Sequence, residues 1–167
     1  MMINIAGPNS TSNLSKFDDD QVQPNAVDLR VAKIFTINNN FLCVVDEDKK
    51  IHRGSDELVV DEDGYWTLEP GTYEIVMEGI VTVGPDEAGW VITRSTLNRN
   101  GIFLTSGLYD SGYCGPMAAA LHVTGGAFRT RPGTRVGQLV MCKAEALHAY
   151  DGDYGIGKEH DKKYGVA

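Results

Sequence analysis

Apolar residues alternate with polar ones in short runs along this chain, and no long segment keeps a 3.6-residue period. From Ala26 to Phe35, Val27, Leu29 and Val31 fall on one face, which predicts a strand. Thr72 to Val83 alternates over a longer run, through Tyr73, Ile75 and Met77 and then Ile80 and Val83. Trp90-Val91-Ile92, Ile102–Thr105, Met117–Val123 and Val136–Lys143 read as further strands. Phe41–Val45, Leu58-Val59-Val60 and Trp66-Thr67-Leu68 are shorter candidates, and residues 2–6 could add an edge strand. Pro70-Gly71, Pro85–Gly89 and Pro132-Gly133 punctuate these runs, and Asp46 to Lys50 reads as a charged tip. One segment departs from the pattern: Ser95 to Arg99 fits a single helical turn. Ser95 or Thr96 is expected to cap its start, and Asn100-Gly101 to end it in the left-handed conformation. Short strands separated by Gly and Pro turns predict an all-β sandwich or barrel with one short helix near residues 95–100.

Composition narrows the class. A length of 167 residues suits one domain with a real core. The expected division is an N-terminal arm or edge segment (1–22), a β domain (23–149) and a flexible C-terminal tail (150–167) rich in Gly, Lys and Tyr. A net charge of −8 argues against a nucleic-acid polymer as partner, yet a local arginine cluster can still hold a small anion. Cys43, Cys114 and Cys142 lack metal-ligand spacing and read as free thiols in a reducing compartment. No leader-like segment opens the chain and no apolar run reaches membrane-spanning length, so a cytoplasmic location with no membrane contact is expected.

Three segments carry candidate chemistry. In Arg94-Ser95-Thr96-Leu97-Asn98-Arg99-Asn100-Gly101, a helix start, two hydroxyls and a guanidinium could cradle a polyphosphate. The same residues also read as a capped surface turn. In Tyr109-Asp110-Ser111-Gly112-Tyr113-Cys114-Gly115, a lone carboxylate framed by Gly107 and Gly112 could deprotonate a water, with Tyr113 against a sugar or base. An Asx-turn at a hairpin end is the bland alternative. In Pro132-Gly133-Thr134-Arg135-Val136-Gly137-Gln138-Leu139, Gln138 is a polar residue in an apolar strand, either reaching a ligand or simply exposed.

The order of these segments resembles the dUTPase and dCTP deaminase superfamily. Gln23-Pro24-Asn25-Ala26-Val27-Asp28-Leu29-Arg30 resembles its first motif in the deaminase-like form. Arg94–Gly101 resembles the RSSLAR-x-G phosphate motif, and Gly107–Gly115 the G-x-I-D-x-G/D-Y/F-x-G motif. Arg131–Val140 resembles the PG-x-R-I-G/A-Q-L motif. The resemblance implies a jelly-roll-like β fold, a homotrimer with sites at subunit interfaces, and pyrimidine deoxynucleoside triphosphates bound with Mg²⁺ through their phosphates and water. It implies that Ser95, Thr96 and Arg99 hold phosphates with Arg94 in support, and that Lys163, in a deaminase-type tail, closes over them. Asp110 would face the deoxyribose and activate water. Gly107, Tyr113, Ala118, Ala120, Gln138 and Tyr164 would surround the nucleoside, with Tyr154 another candidate aromatic of the tail.

Deaminases of this kind resemble one another in a Glu ten residues after the Asp. Here that position is Ala120, within Met117-Ala118-Ala119-Ala120-Leu121-His122, and a methyl cannot shuttle protons. His122 should share the face of Ala120 and could in principle transfer a proton. Phosphate-side chemistry needs only what remains, so the expected reaction is dUTP + H₂O → dUMP + pyrophosphate, with Asp110 activating water for attack on the α-phosphate. The small residues at 118–120 could let the strand backbone read uracil, or admit a bulkier or modified pyrimidine. Two alternatives stay open. One is a dCTP deaminase or a pyrophosphatase for another pyrimidine nucleotide, and the other a non-catalytic nucleotide-binding regulator.

Overall fold

A computed structural model describes residues 1–165 of the 167; the last two residues of the expected tail lie outside them. Twelve strands follow in order: β1 Met2–Ile3, β2 Asn13–Leu14, β3 Val27–Thr36, β4 Val44–Val45, β5 Lys50–Ile51, β6 Trp66–Leu68, β7 Gly71–Thr82, β8 Glu87–Thr93, β9 Ile102–Thr105, β10 Cys114–Val123, β11 Phe128–Thr130 and β12 Arg135–Lys143. A one-turn helix α1, Ser95–Asn98, sits between β8 and β9, and short 3₁₀ turns span Asp19–Gln21 and Glu159–Tyr164. No described helix is long and apolar enough to cross a membrane.

The main sheet curls. β12 pairs with β8 along one edge, and with β3 and then β1 along the other. β3 leaves β12 after Arg30 and continues against β7, with an irregularity between Val31 and Lys33 that turns the strand. β7 pairs with β10 over its length, and β10 with β9. β9 and the loop after it return to β8: the Leu104 amide donates to Thr93 Oγ1 at 2.7 Å, the Val91 amide to Ser106 Oγ at 2.9 Å, and Gly89 bridges Tyr109. These contacts close the curl into a barrel-like fold.

Its interior holds the residues the alternation selects. Val27, Leu29 and Val31 of β3, Ile75 and Met77 of β7, Met117 and Leu121 of β10, and Leu139 and Met141 of β12 are buried. Each such side chain stabilises the fold by about 1.5–3 kcal/mol of transfer free energy. Ile75, Met77, Val81 and Val83 keep one parity through Gly79, which has φ +83°, so Val81 enters the core and the expected Ile80 is only half-buried. Leu58–Val60 forms no strand, only a neighbouring bridge from Glu57 to Phe35, and Phe41–Val45 is reduced to the two residues of β4.

The N-terminal segment is clasped by one carboxylate. Glu87 is fully buried and accepts from the Ser10 and Ser12 hydroxyls, the Thr11 and Ser12 amides, and Lys143 Nζ. Burial alone would raise its pKa, but Lys143 and these donors hold it well below the usual carboxylate range.

Candidate active site

The expected site residues fall into two groups within one chain. The first lies where β8 ends and β12 begins. Arg94 takes the position before α1 in extended conformation, and its carbonyl accepts the amides of Leu97 and Asn98. No side chain caps this turn, so the expected cap from Ser95 or Thr96 is not formed and both hydroxyls stay exposed. The reason is a one-residue shift: Arg94 occupies the capping position, and Ser95 already has helical backbone. Gly101 ends the segment at φ +72°, as its sequence predicts. Arg99 is exposed beside the two hydroxyls.

Behind this turn sits Asp28, which the sequence reading passed over. It is fully buried on β3. Gln138 Nε2 donates to its Oδ1 at 2.9 Å, while Arg94 Nε lies 3.3 Å and Arg135 Nη1 3.6 Å from Oδ2. Oδ2 itself takes no hydrogen bond of good geometry. Arg94 also donates to the Arg135 carbonyl at 3.3 Å. Asp28 therefore fixes two guanidiniums and an amide next to the exposed donors Ser95, Thr96 and Arg99. The signal was available: Asp28 is a charged residue between Val27 and Leu29 in a strand buried on both faces.

The second group surrounds a cavity of about 530 Å³. It lies over the outer face of β10 and β7, beneath the loop around residues 37–55 and the segment from Tyr150 to Tyr164. Gly107, Tyr113, Ala118, Ala120, Lys163 and Tyr164 all line it, as does Tyr154. Tyr113 is buried, donates to the Pro116 carbonyl at 2.7 Å and stacks on Tyr109 with ring centroids 5.3 Å apart. Its burial pushes the phenol pKa well up, as it does for Tyr109. Gly112 adopts φ +85°, where the chain turns back against Ala149 and Tyr150. Gly107 is not left-handed, and an added Cβ there would meet nothing.

The tail, expected to be mobile, docks on this cavity. Asp161 is buried and accepts from the Gly155 amide at 2.6 Å. Tyr164 is buried in a small cluster with Phe35 and Val76, against Ala118. Its hydroxyl donates to Glu74 Oε1, and Lys163 Nζ lies 2.7 Å from Glu74 Oε2. Lys163 is thus engaged with the cavity wall and with Ser55, rather than gathered with Ser95, Thr96 and Arg99. Glu74 is the second residue that sequence reading missed. His52 also lines the cavity, and burial, then the nearby His160, Lys163 and Lys50, lower its pKa.

His122 shares the outer face of β10 with Ala118 and Ala120, as expected. Its two ring nitrogens pair with Thr72 Oγ1 at 3.3 Å and Thr105 Oγ1 at 3.0 Å. A histidine held on both sides by hydroxyls is poorly placed to carry protons to a ligand.

Asp110 joins neither group. It is exposed in the turn after Tyr109, which pairs with Gly89 at the start of β8, whereas Arg94 follows the end of β8. Five residues of strand separate them, roughly 17 Å at about 3.4 Å per residue. Among the described residues, no three or more His, Cys, Asp or Glu side chains cluster as a metal cage. The oxygen groups at the α1 turn, Ser95 and Thr96 hydroxyls and the Asp28 carboxylate, are hard oxygens.

The dCTP deaminase-like family model matches residues 8–144. A probable deoxyuridine 5′-triphosphate nucleotidohydrolase of Halobacterium salinarum is 34% identical over 141 residues, covering 81% of this chain and 84% of that protein. A dUMP-forming dCTP deaminase of Mycolicibacterium paratuberculosis is 29% identical over 160 residues, covering 91% and 83%. Among solved structures, the 2′-deoxycytidine 5′-triphosphate deaminase of Agrobacterium tumefaciens superposes with a TM-score of 0.61 at 20% identity, over 78% of this chain. The chain spans 42% of that deaminase's length.

Proposed function

The chain belongs to the dCTP deaminase-like family, and we propose that it hydrolyses dUTP to dUMP and pyrophosphate. Asp110 takes a proton from water as the oxygen attacks the α-phosphorus. Ser95, Thr96 and Arg99 hold the phosphate oxygens, and Asp28 keeps Arg94, Arg135 and Gln138 oriented behind them. Bound Mg²⁺ would supply charge neutralisation for the leaving diphosphate, and the hydroxyl and carboxylate oxygens of Ser95, Thr96 and Asp28 are donors of the hard kind that would suit it. The cavity lined by Gly107, Tyr113, Ala118 and Ala120 takes the nucleoside.

The observation that carries this reading is the contrast between two positions. Asp110 is exposed to solvent, while position 120, on the cavity face, is an alanine. The 34% identity to a probable dUTP nucleotidohydrolase supports the same choice. Because Asp110 and Arg94 stand at opposite ends of β8, one chain's Asp110 and its own phosphate turn are too far apart for one α-phosphate. We infer that the site is completed between copies, as a homotrimer with sites at its interfaces would provide.

The test is incubation with each deoxynucleoside triphosphate, dUTP included, in the presence of Mg²⁺, with products resolved by chromatography. dUMP and pyrophosphate from dUTP are expected. Ammonia from dCTP without pyrophosphate, or tight binding of nucleotides without any product, would overturn the reading in favour of a deaminase or a regulator.

A further inference from the structure

The tail contains a buried carboxylate that the proposed chemistry does not use. Asp161 is 5% exposed, and both of its oxygens are engaged. Oδ2 accepts the Gly155 amide at 2.6 Å, and Nδ1 of His160 lies 2.9 Å from Oδ1. The Asp161 amide in turn donates to the Lys158 carbonyl, and the Lys158 amide to the Gly155 carbonyl. Residues 155–161 are thereby closed into a loop around one acid. A buried carboxylate is costly unless such partners offset its lost hydration, so the charge and the loop require each other.

This loop is fixed to the barrel at one crossing. The Ile156 amide donates to the Cys114 carbonyl, at the start of β10, at 2.9 Å. Gly155 is buried there at φ +118°, and a Cβ added to it would stand 2.6 Å from that same carbonyl oxygen. Gly115 faces it across the crossing, where an added Cβ would stand 2.6 Å from the Gly155 Cα. Beyond the loop the chain reaches Glu74, which accepts from the Tyr164 hydroxyl and from Lys163 Nζ. Tyr164 is 3% exposed there, in a cluster with Phe35 and Val76 and against Ala118. The cavity of about 530 Å³ stays open beside the docked tail, within the size range of preformed ligand pockets. The tail therefore walls the cavity and does not fill it.

We propose that Asp161 is a positioning residue: it holds the tail folded before any nucleotide arrives, so that the nucleoside meets a finished wall. This rests on the cavity being the nucleoside site of the proposed hydrolase. A segment that orders only on binding subtracts its ordering cost from the affinity, and a segment already ordered does not. Asp161 acts through Gly155, Lys163 and Tyr164 and touches no reacting atom. Its contribution therefore falls on nucleotide binding rather than on the attack of water at phosphorus.

The experiment compares the intact protein with Asp161→Ala and, by an independent route to the same crossing, Gly155→Ala. Hydrogen exchange without nucleotide comes first: the Ile156 amide should exchange slowly in the intact protein and about tenfold faster or more in both variants. Calorimetry with the non-hydrolysable α,β-imido analogue of dUTP should then show affinity lower by about tenfold in both, within the cost of stranding one buried amide. The heat-capacity change of binding should become more negative, because the tail now orders on binding. With dUTP, KM should rise by about the same factor while kcat stays within about twofold. Asp161→Asn keeps an acceptor for the Gly155 amide and should restore most of the affinity. Fast exchange at Ile156 in the intact protein would overturn the proposal, as would unchanged or tighter analogue binding in the variants. A fall in kcat with KM unchanged, or an Asp161→Asn no better than Asp161→Ala, would also sink it. If the affinities differ as expected but no nucleotide yields diphosphate, the hydrolase reading fails and the role of Asp161 stands. If the intact protein does not bind the analogue at all, both fail together.

Discussion

Asp28 and Arg94 meet inside the fold, with the guanidinium Nε 3.3 Å from an oxygen of a carboxylate sealed from solvent. A buried carboxylate persists only where partners offset its lost hydration, and here Arg94, Arg135 and Gln138 are those partners. The ion pair therefore ties the core of β3 to the start of the α1 turn.

Substituting Asp28→Asn removes the charge and leaves two guanidiniums without it. We expect a loss of about 3–5 kcal/mol in stability, the usual cost of breaking a buried pair. In the folded fraction, KM for dUTP should rise more than kcat falls, because the phosphate turn is disordered rather than the attacking water. Denaturant melts with steady-state kinetics check both, and an unchanged melt would refute the account of Asp28.

Asp110→Asn keeps the shape of its exposed turn and removes the carboxylate proposed as the base. Turnover of dUTP should fall by about 10²–10⁴-fold, the range for a lost general base. Affinity for a non-hydrolysable dUTP analogue should stay within a few-fold. Unchanged turnover would remove Asp110 from the mechanism.

The distance along β8 makes the two-copy site testable without a structure. Asp110→Asn and Arg99→Gln chains, each inactive alone, should recover about a quarter of wild-type activity when unfolded together and refolded as mixed trimers. No recovery after verified mixing would place both residues in one chain's site.

Glu87 sets an acid limb of stability. Its pKa is lower in the folded chain than the ordinary value of 4.5. Its contribution is therefore complete above pH about 4.5 and is lost progressively as the pH falls towards the folded value. Glu87→Gln should cost about 1–3 kcal/mol at pH 7 and flatten the decline of stability below pH about 5. Thermal melts across pH 3–7 read both, and a parallel decline in the two proteins would show that another group controls the acid limb. Loss of the clasp should also release residues 10–12, seen as faster amide exchange there.

Much of the fold could be read from alternation. β3, β7, β8, β9, β10 and β12 lie where their apolar period places them, because each has one face committed to a single core. The short helix was also legible, from Ser95–Arg99 with Gly101 behind it, although the capping position fell on Arg94 rather than on Ser95 or Thr96. β2 and β11 were not, since two- and three-residue strands carry no period. Ile80 was misassigned too, because the alternation of Ile75 and Met77 carries on through Gly79 to Val81 and Val83.

The candidate site divides in the same way. The sequence by itself determined its chemical parts: two hydroxyls and a guanidinium on one turn, a lone Asp110 between glycines, and an alanine at position 120. Those are local patterns, and residues near in sequence stay near in space. Only the tertiary structure decided how the parts stand to one another. It placed Asp110 and Arg94 at opposite ends of β8, put Asp28 against Arg94 at the start of α1, and docked Tyr164 in the cavity. It also set Glu74 opposite Ala120. Strand pairing joins residues far apart in the chain, and no local period records which residue of one strand meets which of the next.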